Sequence, residues 1–290
     1  MAKSRKATYL FAIALVLAVL GVYLPGIRNE LLFDDLRLSD GTIFGEYGSL
    51  LQFKQRMLSY GSFVWLQSLF GEGWWKQRFL NIALHLGTVA CIYALLKALL
   101  TQARFPREFE DQAHFEASRT AALQVGVALF ALNPVAVYAV GYLVQRSIVM
   151  ATLFAVLACW LFVRGLQTGR TGWYAGALGS YVLAVLSKEY AVMTAAMAVP
   201  LYIYIRRPSW KAIAVVAGGA SLLLALAAAA FLGIYGSVLG KVFDPRSAAL
   251  VQQLEAMRPG ITAHIYPLSI LNEAALFFGY GLLWLVPNVQ

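Results

Sequence analysis

Long apolar runs recur along this chain, among them Ala7–Leu24, Arg78–Leu100, Ile148–Val163 and Ala212–Leu232. An α-helix of about 20 apolar residues matches the hydrocarbon thickness of a bilayer, and in lipid every backbone group must be bonded within its own segment. The runs therefore predict an all-α fold, a polytopic transmembrane helical bundle. Composition agrees: 60% of the 290 residues are apolar and 13% are charged, against about 25% charged in soluble domains. The net charge of +9 does not indicate nucleic acid. The basic residues lie in short clusters between apolar runs, as topology signals do. Cys91 and Cys159 each fall inside an apolar run and read as small core residues. His85, His114 and His264 show no metal-ligand spacing.

About seven to eight spans are expected, in a single integral membrane domain over residues 1–290. The first, Thr8–Leu24, follows a basic start (Lys3, Arg5, Lys6) and ends at Pro25-Gly26. It is too long for a signal-peptide core and has no small-residue cleavage site, so it reads as uncleaved. Residues 25–77 form a first polar loop with two aromatic amphipathic pieces, Phe44–Phe53 and Leu58–Phe70. These are expected as short interfacial helices, near Trp65, Trp74 and Trp75. Span two, Arg78–Leu100, carries Arg78, Asn81 and His85 on one helical face at spacings of three and four. Residues 101–119 read as a charged loop. Span three, Thr120–Leu132, stops at Asn133-Pro134, and Pro134–Gln145 restarts as a helix or half-helix. Spans four to eight are Ile148–Val163, Tyr174–Leu186, Tyr190–Ile205, Ala212–Leu232 and Leu268–Val286, with a later polar loop at 233–267.

The basic residues orient the bundle. Lys3, Arg5 and Lys6, then Arg164 and Arg170, then Arg206, Arg207 and Lys211 fall on one side. The positive-inside rule makes that side, with the N-terminus, cytoplasmic. Residues 25–77, 133–146, 187–189 and 233–267 then face outward. Asp34, Asp35, Arg146, Lys188 and Glu189 all fall on this outer face. An exposed Asp pair is often a solvated cap. Arg146 and Lys188 read equally as residues snorkelling to headgroups, and Lys188-Glu189 as a structural ion pair. The functional alternative is a polar site at the membrane surface. A polyprenyl-phosphate sugar would use such a site: Arg and Lys hold the departing phosphate, and a carboxylate orients an acceptor hydroxyl and takes its proton. Two Asp are too few to fix a divalent metal unaided, and a metal stays open as a cofactor.

Five motifs occur in order: FDD after the first span, RMLSY in the first loop, RFLNIALH entering span two, NPVAVYAVGYLVQR after span three and LSKEYAV after span five. Over roughly residues 8–205 this resembles the membrane half of the TMTC-type proteins. These are TPR-linked C-type glycosyltransferases of eukaryotes with bacterial relatives. The resemblance implies a GT-C-like fold and transfer of a sugar from a polyprenyl-phosphate donor to a hydroxyl acceptor, protein Ser/Thr or glycan, on the outer face. It implies Asp34 and Asp35 as the acidic pair, one acting as base. It implies Arg146 and Lys188 at the donor phosphate, with Glu189, Arg56, Arg78, Asn81 and His85 in support. Family members commonly carry His-Pro where this chain has Asn133-Pro134, and an acid where it has Tyr138. No 34-residue period follows, so the chain is expected to be a short relative or a truncated piece, in a bacterial inner membrane. Two rivals remain: a transporter or flippase for a lipid-linked sugar, and a non-catalytic membrane assembly subunit.

Overall fold

The structure, a computed structural model, describes residues 2–48, 54–103, 112–235 and 245–286. Among these residues all regular structure is helical and there is no strand. The helices are α1 Ala2–Tyr23, α2 Leu36–Ser39, α3 Thr42–Glu46, α4 Met57–Phe70, α5 Trp74–Leu100, α6 Gln112–Ala131, α7 Ala136–Gly141, α8 Arg146–Thr168, α9 Thr171–Ser187, α10 Ala198–Arg206, α11 Trp210–Tyr235, α12 Pro245–Met257 and α13 Ile265–Leu285. Among the described residues four helices are long and apolar enough to cross a membrane, over Lys6–Gly26, Trp74–Leu100, Arg146–Thr168 and Pro267–Leu285.

The other expected spans fall on α6, on α9, on α11, and on a 3-10 segment Glu189–Met197 that continues into α10. One boundary differs. The residues before Thr120 read as loop, yet helix begins at Gln112. Glu116 and Arg119 pair at 2.5 Å across one helical turn, so charges that suggested a loop instead support an exposed helical stretch. Of the expected amphipathic pieces, Leu58–Phe70 is α4. The part of Phe44–Phe53 from residue 49 onward lies outside the described residues.

The chain divides into two compact units, Met1–Arg207 and Pro208–Gln290. In the first, α1, α5, α6, α7 and α8 share a core that includes Leu15, Val19, Ile82, Val127, Val140 and Val149. A second core holds the first loop in place. Leu38, Ile43, Tyr60 and Phe63 pack with Leu143 and Val144, which directly precede α8. The α8–α9 hairpin turns at Gly169, whose φ of 71° suits glycine. In the second unit, Glu255 of α12 accepts from the Gly260 N–H at 2.6 Å and from the Thr262 N–H at 3.0 Å. The apolar faces of α13, Phe277 and Phe278 included, stay exposed, as expected of a lipid-facing helix.

The α8–α9 contact is close enough to test. A Cβ on Gly165 would lie 2.8 Å from the ring of Tyr174, whereas one on Gly179 would meet nothing within 4 Å. Gly165→Ala should destabilise by about 1–3 kcal/mol through overpacking, despite alanine's better helix propensity. Gly179→Ala should be neutral or stabilising by up to about 1 kcal/mol. Unfolding midpoints in detergent check both; equal midpoints would mean the hairpin absorbs a methyl group freely.

Candidate functional site

The five motifs meet in one polar network, whose bonds tie the first loop and α5 to the residues around the start of α8 and the end of α9. The first link is Asp35. It is 2% exposed, and its carboxylate accepts from the backbone N–H of Leu143 at 3.0 Å and of Val144 at 2.8 Å. This carboxylate clamps the GYLV stretch. Its neighbour Asp34 is exposed, and its carboxylate has no bonded partner among the described residues. The pair sits on a short 3-10 turn, Phe33–Asp35. Phe33 enters it at φ 53°, a left-handed conformation rare for a bulky residue. The turn thus presents one acid outward while it seats the other.

The second link is Arg146, which is 0% exposed. Its Nε donates to Asn81 Oδ1 at 2.7 Å and its Nη1 to Ser62 Oγ at 3.0 Å. Its Nη2 donates to both the carbonyl and Oε1 of Gln77, each at 2.8 Å. The guanidinium lies 3.8 Å from the centre of the Phe63 ring. No acid pairs with it among the described residues. Neutral oxygens and an aromatic face solvate it instead. The residue expected at a donor phosphate is a sealed tie between α4, α5 and α8, with no surface of its own.

Asn81 continues the network, donating to the carbonyls of Val140 and Tyr142 at 3.3 Å. His85 bonds the Ala131 carbonyl through Nε2 at 3.0 Å and stacks on Phe130. Arg78, Asn81 and His85 are all buried, so the stripe read from their spacing does face inward. Asn81 binds Arg146 and two backbone carbonyls, and His85 binds a backbone carbonyl.

The third link is a clasp. Arg56 donates from Nε and Nη2 to the two oxygens of Glu189, at 2.9 and 2.5 Å, and from Nη1 to Tyr60 Oη at 2.9 Å. Ser59 Oγ donates to the Ser187 carbonyl at 2.8 Å. Glu189 therefore pairs with Arg56 and not with its neighbour Lys188, whose ammonium sits 5.6 Å from the centre of the Tyr190 ring. Hydrogen bonding from Arg56 lowers the Glu189 carboxyl from 4.5 to about 2, and the same bond raises the Arg56 guanidinium. Burial, then the nearby Arg56 charge, push Lys188 down.

The clasp carries a pH prediction. A depressed carboxyl adds stability above its ordinary value near 4.5 and loses it as pH falls towards about 2. Glu189 is 46% exposed, so solvent screening limits the gain to about 1 kcal/mol or less. Glu189→Gln should lower the unfolding midpoint at pH 7, with the gap narrowing below about 4.5 and closing only near pH 2 and below. A gap independent of pH would mean that the clasp is not ionic.

A cavity of about 400 Å³ opens beside Asp35, between the C-terminal end of α1, the start of α5 and α7. Arg78 lines it with Glu30, Tyr142 and several apolar side chains. Among the described residues no three His, Cys, Asp or Glu side chains come together as a metal site. Sequence reasoning passed over Ser59, Ser62, Gln77 and Tyr60, which complete the network. The available signal was their place inside or beside the RMLSY and RFLNIALH motifs. Compared with protein-family models, with curated proteins and with solved structures, the chain gives no match.

Proposed function

We propose that this chain is a membrane glycosyltransferase of C-type architecture, with seven to eight spans. In this reading it moves a sugar from a polyprenyl-phosphate donor to an acceptor hydroxyl on the outer face of the membrane. The observation that carries the reading is the division between the two acids. Asp34 is an exposed carboxylate without a bonded partner among the described residues. Asp35, one residue on, is buried and fixed by two backbone N–H groups. A catalytic base must be free to accept a proton and yet held in place, and this turn supplies both. The positive φ of Phe33 is consistent with a loop held in a costly conformation for use.

The chemistry assigned to Asp34 is general-base catalysis. The acceptor oxygen attacks the sugar C1 from the face opposite the phosphate. Its O–C1 bond forms as the C1–O(phosphate) bond breaks, the configuration inverts, the proton passes to the Asp34 carboxylate and polyprenyl phosphate leaves. Arg146 has no part in holding that phosphate, since its guanidinium is sealed; Arg146 and Asp35 instead brace the loop that carries Asp34.

The test is reconstitution in liposomes with a labelled polyprenyl-phosphate sugar and a Ser/Thr-containing acceptor peptide, with glycan on the acceptor read by mass spectrometry. Transfer by the wild type and its loss in Asp34→Asn are expected. Undiminished transfer in a folded, inserted Asp34→Asn protein would sink the assignment. A wild type that carries the donor across the bilayer without transferring it would favour the transporter.

A further inference from the structure

The geometry points to the cavity beside Asp35 as a binding site for a lipid phosphate headgroup, with Arg78 as the ligand for its phosphate. This deepens the reading above by naming where its lipid phosphate is held.

Arg78 is 6% exposed. It donates to two carbonyls, from Nη1 to Ile27 at 3.4 Å and from Nη2 to Glu30 at 3.1 Å. Two of five N–H donors are thereby used, and among the described residues no acid forms an ion pair with it. A buried guanidinium in that state calls for an anion. Nor does its own helix explain it. Arg78 lies near the N-terminal end of α5, where a cation gains nothing from the helix dipole. Arg146, the other buried arginine among the described residues, has its acceptors packed around it; Arg78 instead borders open volume.

The remaining lining selects among anions. Asp35 faces the same cavity, but both its oxygens already accept backbone N–H bonds. Glu30 sits on the exposed rim and gives Arg78 its carbonyl. With the Asp35 carboxylate in the same lining as the Arg78 guanidinium, the cavity is a poor host for a bare phosphate dianion. The apolar walls, Val22, Ile82, Val137 and Val140, offer the compensating term to a phosphate that carries a hydrocarbon chain. Position agrees. The cavity lies where the Lys6–Gly26 span ends and the Trp74–Leu100 span begins, the depth at which a lipid presents its phosphate.

Calorimetric titration of the purified full chain in detergent tests this with three probes: farnesyl phosphate, farnesol and inorganic phosphate. Farnesyl phosphate should bind saturably, and each of the other two at least about 10-fold more weakly. Arg78→Gln should weaken farnesyl phosphate at least about 10-fold and leave farnesol unchanged. Because Arg78 also ties two loop carbonyls, Val137→Trp serves as a second variant. It fills the cavity from a partly exposed position and should weaken both chain-bearing probes. Wild-type affinity for farnesyl phosphate in a folded Arg78→Gln protein, or in Val137→Trp, would overturn the site. Equal affinity for inorganic phosphate would overturn the lipid source in favour of a free anion. Binding that behaves as expected without transfer to any acceptor would sink the transferase and leave the site. Transfer undiminished in Arg78→Gln would do the reverse.

Discussion

Arg146→Met should lower the unfolding midpoint by about 10 °C, although it removes no ion pair. The wild-type guanidinium meets four oxygens, Asn81 Oδ1, Ser62 Oγ, the Gln77 carbonyl and Gln77 Oε1. Methionine matches the volume and the apolar contact with Phe63, but leaves those oxygens facing a side chain that cannot donate. An orphaned buried polar group costs about 1–3 kcal/mol. With partial relaxation of the four oxygens the total is about 3–5 kcal/mol. At about 2–4 °C per kcal/mol for a chain of this size, the shift is of order 10 °C. Lysine decides what the residue is for. An ammonium keeps the charge but cannot reach acceptors spread around a planar fork, so Arg146→Lys should also lose stability. A surface phosphate ligand would behave differently, keeping its midpoint and losing donor affinity alone. A wild-type midpoint in Arg146→Met would mean that α4, α5 and α8 are tied by other contacts.

Parts of this network were legible from sequence and parts were not, for physical reasons. The stripe Arg78, Asn81 and His85 was legible because helical spacing alone puts these residues on one face, and all three are buried. The break at Ser187-Lys188-Glu189 was legible because three polar residues interrupt an apolar run; Lys188 is extended there, at φ −158° and ψ 137°. The role of Arg146 was not. A charge at a helix end suggests a partner of opposite charge or a headgroup, and its partners are neutral residues 65 to 84 positions away. Glu189 misled through proximity: Lys188 is adjacent, but the bidentate partner Arg56 lies 133 residues distant. Asp34 and Asp35 carry the same chemistry in sequence. Only the position of the Leu143 and Val144 amides, 108 and 109 residues on, makes one a clamp and leaves the other exposed.

That asymmetry sets the sharpest expectation for the pair: on the proposed chemistry Asn at 34 should cut transfer and spare the fold, and Asn at 35 should damage the fold first. Asp35→Asn replaces a carboxylate that accepts two backbone N–H bonds, at 3.0 and 2.8 Å, by an amide with one oxygen. Either the Leu143 or the Val144 N–H then faces another donor. The loss of a charge-assisted bond with an orphaned N–H comes to about 2–3 kcal/mol, visible as a lower unfolding midpoint. Asp34 is exposed and unbonded among the described residues, so Asn there changes stability by about 0.5 kcal/mol at most. If Asp34 takes the acceptor's proton, the amide cannot, and transfer should fall about 10²–10⁴-fold. Asp34→Glu keeps the proton acceptor one methylene out of place and should recover part of the rate. A scaffold role for both acids predicts another pattern, in which rate and midpoint fall together at 35 and neither moves at 34. The two positions, measured side by side for midpoint and rate, therefore separate a base from a brace whatever the substrate.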